Sequence, residues 1–277
     1  MPVRRRTAGR VATPPPSEDE AALPSLTALL SVARTAARAG GRRTLEYYGG
    51  RISAETKPDG SPVTPADRAS EAEVRRIIRH SFPTHTIVGE EGGVQEGDRR
   101  IRWIVDPLDG TKSFVHGVPL YSVLVAVEVD GVPAVGVIHL PALGETVEAA
   151  TGQGCRWNGR GAHVSRTDRL SDATLLTTSV RALESRGVRF QRLASATRTQ
   201  RGWGDGYGFA LVATGRVDAM VDVGLQLWDN GPLLPILEEA GGRFTDWDGV
   251  RTIASEDVLG SNGLLHEPLL KILSERE

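Results

Sequence analysis

Trp103-Ile-Val-Asp106-Pro-Leu-Asp109-Gly-Thr111-Lys112 is an apolar run that delivers two aspartates, three residues apart, into a Gly-Thr turn. Carboxylates at such a strand end can hold a divalent cation beside a turn whose backbone N–H groups meet phosphate oxygens. Hard cations such as Mg²⁺ take oxygen ligands, typically one or two carboxylates plus substrate phosphate. Asp-Pro-x-Asp-Gly is equally ordinary turn chemistry, because Asp, Pro and Gly punctuate loops for conformational reasons alone. Two more acidic elements weigh toward a metal: Val88-Gly-Glu90-Glu91-Gly-Gly upstream and Leu227-Trp228-Asp229-Asn230-Gly downstream. Each follows a short apolar or β-prone stretch, which surface solvation does not explain. These are the parts of a metal-assisted phosphate-ester hydrolase.

Upstream of the motif, residues 25–40 predict a helix with Ser25 as N-cap, ended or broken by Gly40-Gly41 before Tyr47. Residues 67–80 predict a second helix with Ala69, Val74 and Ile77-Ile78 on one face. Asp67 then opens that helix, where a carboxylate complements the dipole or serves function. Strands are expected over residues 86–89, 102–105, 122–129, 134–140 and 145–151, with Asp130-Gly131 as a hairpin turn. Past Leu170, strand alternates with helix at residues 173–177, 190–195 and 230–240, the last bent at Pro235 and closed by Gly241-Gly242. The order implies an α+β half, residues 25–170, packed on an α/β half, residues 171–277, with the acidic turns in the cleft between them. The two halves together make one domain, 25–277.

Composition narrows the partners. With 277 residues, 39% hydrophobic and 25% charged, the chain is ordinary for a globular protein. A net charge of −2 gives no reason to expect nucleic acid or an anionic membrane. A single cysteine, Cys155, excludes an intramolecular disulfide and is expected as a packed thiol. No run of about 18 apolar residues is present, so no membrane span is expected and the cytoplasm is the expected location. The six histidines show no zinc-ligand spacing. Residues 1–24 combine Arg4-Arg-Arg6 and Arg10 with Pro14-Pro-Pro16 and Ser17-Glu-Asp-Glu20, a composition expected to be disordered. The Arg-rich start is also compatible with an organellar transit peptide.

From about residue 25 onward the chain resembles a known family. Glu90-Glu91, Asp106-Pro-Leu-Asp109-Gly-Thr111, and Trp228-Asp229 followed by Glu239-Ala-Gly-Gly242 are similar to motifs of the inositol monophosphatase superfamily of Mg²⁺-dependent, lithium-sensitive phosphatases. Lys57-Pro-Asp-Gly-Ser-Pro-Val-Thr-Pro-Ala-Asp67 and Val212-Ala-Thr-Gly215-Arg-Val-Asp218 extend the match. The resemblance implies a layered αβαβα sandwich. It implies one Mg²⁺ held by Glu90, Asp106 and the carbonyl of Leu108, a second held by Asp106, Asp109 and Asp229, and a weaker third through Glu90. Two close ions suit an in-line displacement by an activated water. Asp67, Glu90 and Thr111 form the implied catalytic set, Thr111 orienting that water with Asp67 as its partner. Gly110 and Thr111 would bind phosphate through backbone N–H groups. A homodimer is compatible with the resemblance.

Three features address the substrate. Lys112 follows Thr111 as in histidinol-phosphate and 3′-phosphoadenosine phosphatases, whereas inositol-hydrolysing members often carry Thr there. Arg201-Gly-Trp-Gly204-Asp205-Gly-Tyr207 resembles the histidinol-phosphatase branch, although Gly204-Asp205-Gly206 also reads as a plain turn. Asp222 aligns with an acidic substrate-contacting residue. The implied substrate set is Asp109, Gly110, Thr111, Lys112, Arg201, Asp205, Asp222 and Asp229, around a small phosphorylated metabolite. Histidinol phosphate has a cationic amine and imidazole end, which suits Asp205 and Asp222, and its hydrolysis belongs to histidine biosynthesis. The alternatives are an inositol monophosphatase or a broad sugar- and nucleotide-phosphate phosphatase. From a different class comes a regulatory partner of RNA or the transcription machinery, contacting it through the Arg4–Arg10 tail.

Overall fold

The computed structural model describes residues 23–50, 53–58 and 60–275. The expected disordered tail, apart from Leu23 and Pro24, lies outside the described residues.

Helix α1 (Leu26–Leu45) begins where expected, the Ser25 side chain accepting from the Ala28 N–H at 3.2 Å. It does not stop at Gly40-Gly41, contrary to the expectation. A Cβ at Gly40 would lie 2.7 Å from Ser70 Oγ and from Val74 Cγ2, and one at Gly41 would lie 2.6 Å from His139 Cδ2. These glycines admit neighbouring elements to the helix surface. Helix α2 (Pro65–Ser81) begins earlier than expected, with Thr64 as N-cap, Pro65 in the first turn and Asp67 closing a capping box. Its buried line is Ala66, Ser70, Val74 and Ile78, flanked by Asp67 and Glu71, while Ala69 and Ile77 are only partly buried.

A small hairpin, β1 (Glu55–Thr56) and β2 (Pro62–Val63), precedes α2. The large sheet contains β3 (His85–Gly89), β4 (Gly93–Gln95), β5 (Asp98–Asp109), β6 (Ser122–Val129), β7 (Val132–Leu140), β8 (Glu145–Ala150), β9 (Cys155–Trp157) and β10 (Arg160–Gly161). Its order is β10-β9-β8-β7-β6-β5-β3-β4, antiparallel except for β3 against β5. The β6–β7 turn has Asp130 at φ 50° and Gly131 at φ 78°, the left-handed pair that a two-residue hairpin requires. Strand β5 is longer than expected and carries Asp106-Pro-Leu-Asp109 within it, with a register break against β6 between the two aspartates. Pro107 has no N–H for the ladder, so the strand bulges there.

Short helix α3 (Thr111–Val115) joins β5 to β6. The second sheet follows: β11 (Thr174–Leu176), β12 (Thr199–Arg201), β13 (Ala219–Asp222), β14 (Arg243–Asp246) and β15 (Val258–Ser261), ordered β12-β11-β13-β15-β14. Helices α4 (Val180–Ser185), α5 (Phe190–Ala196), α6 (Asp205–Ala213), α7 (Leu227–Glu239) and α8 (His266–Ser274) alternate with these strands. Helix α7 continues through Pro232 and Pro235 and ends as expected, Gly242 N–H donating to the Leu237 carbonyl at 2.8 Å past Gly241 at φ 86°.

Alternation along β5 and β6 explains the layering. Trp103, Val105 and Val125 face α1 and α2, packing with Leu29, Ala33, Val74 and Ile78. Ile104, Leu124 and Ala126 face α6 and α7, packing with Phe209, Leu233 and Leu237. The second sheet sends Leu175, Val221 and Leu259 to its far face, against Leu183, Leu193 and Leu269 of α4, α5 and α8. The result is the expected αβαβα sandwich. Cys155 is buried, and burial pushes its thiol up to about 12. No helix among the described residues is long and apolar enough to cross a membrane.

Candidate active site

The bulge in β5 turns Asp106 and Asp109 into a cleft of about 520 Å³ lined by residues of both halves. Asp106 Oδ1 accepts from the Leu108 N–H at 2.9 Å, which fixes the turn between the two aspartates. Asp109 Oδ2 accepts from Ser122 Oγ and from the Gly206 N–H. Asp229 enters from the first turn of α7, where it also caps the helix by accepting from the Gln226 N–H at 2.6 Å. Ligand oxygens of Asp106, Asp109 and Asp229 lie within 4.8 Å of one another. Glu90, at the end of β3, lines the same cleft and accepts from Lys57 Nζ at 2.7 Å, while Lys57 also pairs with Glu91.

Electrostatics make this cluster expensive without a cation. Burial, then the charges of Glu90, Asp109 and Asp229, push Asp106 well above the usual carboxylate range. Burial, then the charge of a neighbouring aspartate, raises Asp109 and Asp229 to about 7. Burial likewise raises Glu90. Carboxylates crowded in a partly dry site favour protonation unless an opposite charge joins them. An all-oxygen donor set under this repulsion fits a hard divalent cation.

Asp67 is both a cap and a part of the cleft's support. Its Oδ2 accepts from the N–H and hydroxyl of Thr64, at 2.8 and 2.6 Å, while Oδ1 faces Thr111 Oγ1 at 3.3 Å. The Thr111 hydroxyl also lies 2.9 Å from the Leu108 carbonyl oxygen. Gly110, at φ 77°, makes the turn into α3. Lys112 is exposed and lines the cleft, where its charge favours the ionised form of Asp205.

Asp205 opens α6 in a left-handed conformation, φ 56°. Its Oδ2 stands 3.0 Å from where a Cβ on Gly110 would be, so the two turns face each other. Thr178 Oγ1 accepts from the Asp205 N–H at 3.0 Å and donates to the Asp222 carboxylate. Burial first, then neighbouring aspartates, raise Asp205 and Asp222 to about 7. Arg201 does not join this group: it is exposed at the end of β12 and donates to the Gln200 carbonyl at 2.7 Å. Sequence reasoning gave no role to Lys57, Ser122 or Thr178. Ser122 stands opposite Asp109 in the β5–β6 register, a relation visible only once the strands are paired.

The model of the inositol monophosphatase family matches residues 25–277. A histidinol-phosphatase of Chlorobaculum parvum is 38% identical over 252 residues, covering 90% of this chain and 97% of the relative. A Nus factor SuhB of Pasteurella multocida is 35% identical over 230 residues, covering 80% of this chain and 86% of the relative. The solved structure of an inositol monophosphatase from Anabaena superposes with a TM-score of 0.81 at 35% identity, covering 91% of this chain and 97% of that one. The names differ in what they say of activity and agree with one fold. Matched along nearly all of its described length and superposing on a solved member, this chain is a phosphatase that belongs to the inositol monophosphatase family.

Proposed function

We propose that the chain hydrolyses histidinol phosphate in a Mg²⁺-dependent reaction. The observation that carries this reading is the second acidic pair, Asp205 and Asp222, in the same cleft as the metal-type carboxylates. Neither forms an ion pair among the described residues, and burial raises both toward neutrality. A substrate with an ammonium and an imidazolium supplies the missing positive charge. Asp222 already accepts from the Thr178 hydroxyl and N–H, so the discrimination falls on Asp205, which a neutral inositol ring would leave without a charged substrate partner in a partly dry site, at a cost. The 38% identity to a histidinol-phosphatase supports the same choice.

Glu90, Asp106, Asp109, Asp229 and the Leu108 carbonyl would hold the metal, which supplies charge neutralisation at the phosphate and a more acidic water. With the Leu108 carbonyl given to the metal, the Thr111 hydroxyl would turn its proton to Asp67, its second acceptor at 3.3 Å, and offer its lone pairs to the attacking water, setting that water's orientation. The backbone N–H groups of Gly110 and Thr111 would receive the phosphate oxygens, with Lys112 beside them in the cleft. The P–O ester bond breaks, the water oxygen stays on phosphorus, and histidinol leaves with a proton. Inhibition by Li⁺ is expected on the same reading.

The test is phosphate release from histidinol phosphate, inositol 1-phosphate and 3′-phosphoadenosine 5′-phosphate under identical Mg²⁺. The highest kcat/KM on histidinol phosphate supports the reading, and the highest on inositol 1-phosphate replaces it with the inositol-type activity. The Nus factor name of the Pasteurella relative favours a second reading, a regulatory partner of the transcription machinery. A folded protein that releases phosphate from none of the three esters would bring that reading forward.

A further inference from the structure

Glu71, on α2, is buried and belongs to none of the residues assigned so far. Its Oε2 accepts from the Glu91 N–H at 2.7 Å, and its Oε1 accepts from the Gly92 N–H at 2.9 Å and from Arg75 Nε at 2.6 Å. Arg75 in turn donates to the Gly93 carbonyl. A Cβ at Gly89 would collide with the Glu71 carboxylate, and one at Gly92 would lie 2.6 Å from Oε1. The turn Gly89-Glu90-Glu91-Gly92-Gly93 is glycine-rich and has little conformational preference of its own. Glu71 therefore supplies the order that the turn's sequence lacks.

The same helix reaches the other acidic loop. Ser70 Oγ donates to the Pro107 carbonyl at 2.8 Å, directly after Asp106, and Asp67 faces Thr111. Residues at i, i+3 and i+4 share one helix face. Asp67, Ser70 and Glu71 thus hold the Thr111 turn, the Asp106 loop and the Glu90 loop from one rigid element.

We propose that Glu71 is a positioning residue for the metal site, holding the Glu91 and Gly92 N–H groups so that the Glu90 carboxylate stays aimed into the cleft. The inference rests on the reading of Glu90 and Asp106 as metal ligands. A carboxylate suits the task because it accepts from two N–H groups and pairs with Arg75 at once. An amide of the same length offers one acceptor and turns an N–H group toward the second donor.

Calorimetric titration of the metal-free full-length chain with Mg²⁺, alongside thermal melting and the Mg²⁺ needed for half-maximal activity, tests the proposal. Glu71→Gln should weaken Mg²⁺ binding roughly 10- to 100-fold, the usual effect of losing a group that orients a ligand. Turnover at saturating Mg²⁺ should recover most of its wild-type value. Glu71→Asp, one methylene short, should not rescue binding. Gly92→Ala, which presses a Cβ onto Oε1, should reproduce the loss and decides the matter where Glu71→Gln folds poorly. Ile78→Val, which loosens the core beneath the same helix, should lower the melting temperature and leave Mg²⁺ affinity unchanged. Wild-type Mg²⁺ affinity in Glu71→Gln and Gly92→Ala, or an equal loss in Ile78→Val, overturns the positioning role. Asp106→Asn separates the two readings: if it also binds Mg²⁺ as wild type does, the metal-site assignment fails instead.

Discussion

The backbone N–H of Gly206, in the first turn of α6, donates to Oδ2 of Asp109, at the end of β5, across 2.8 Å. Ser122 Oγ donates to the same oxygen. A Cβ at Gly206 would stand 2.7 Å from both Asp109 Oδ2 and Ser122 Oγ, so a side chain there would part the two elements. One carboxylate oxygen therefore joins the large sheet to the helix that begins with Asp205. The residue proposed to hold metal and the residue proposed to read the head group share one anchor. Their relative placement is set by the fold rather than by a mobile loop.

Asp106→Asn should reduce Mg²⁺-dependent turnover by at least about 100-fold, the lower end of what one removed charge-stabilising group costs. Burial, then the charges of Glu90, Asp109 and Asp229, make the metal-free protein hold Asp106 protonated at a cost, and asparagine removes that cost. The melting temperature without Mg²⁺ should hold or rise. Turnover near wild type with an unchanged melt would remove Asp106 from the site.

The stabilisation conferred by Mg²⁺ should grow as pH rises from about 4 to about 7. Asp109 and Asp229 have folded-state values raised from 3.8 to about 7. A group raised on folding binds more protons in the folded state, so its contribution to stability is present below its unfolded value. That contribution is lost as pH climbs through the folded value. Mg²⁺ requires the deprotonated forms and compensates where the loss is greatest. His139 and His266, lowered to about 4 by burial, act with the opposite sign in this window, and the difference between melts with and without Mg²⁺ cancels them. A Mg²⁺ increment that does not change with pH would contradict the cluster's role.

Gly40→Ala should destabilise the chain by about 1–3 kcal/mol, the usual range for overpacking. Helix propensity alone predicts a gain of about 1 kcal/mol. The two atoms that the new methyl would meet at 2.7 Å, Ser70 Oγ and Val74 Cγ2, belong to the buried face of α2. Urea unfolding gives the sign directly, and a stabilised variant would show that α1 and α2 can separate without cost.

Local sequence carried some of this structure and not the rest. Strand β6 runs over residues 122–129 as expected, because alternating apolar positions and Asp130-Gly131 are both local signals. The stop expected at Gly40 failed because a glycine's helix penalty is small beside the packing it permits. Asp106-Pro-Leu-Asp109 looked like a turn but remains in β5, since its pairing with β6 depends on residues elsewhere in the chain. The clustered acids were legible because ligand chemistry limits the residue types that can serve. Their supports were not: Thr178 meets Asp222 across 44 residues, and Glu71 meets Glu91 across 20. Arg201 was expected at the cleft, but side-chain direction is not written in a motif, and it lies exposed at the end of β12.

Asp205→Asn should lose kcat/KM on histidinol phosphate far more than on the neutral ester glycerol 2-phosphate. Asparagine is the informative replacement because position 205 has φ 56°, which Asn tolerates and Ala resists by roughly 1 kcal/mol. Size and backbone are kept and only the charge is removed. The Thr178 hydroxyl still accepts from the residue 205 N–H, so Asp222 keeps its partner. If the carboxylate pairs with the ammonium or imidazolium in a partly dry cleft, its loss should cost about 2–5 kcal/mol of discrimination between the two esters. An Asp205 that only shapes the turn would lower both substrates equally, through stability. The ratio of the two kcat/KM values, compared between wild type and variant, separates these cases. An unchanged ratio removes Asp205 from substrate choice and restores the broad phosphatase reading.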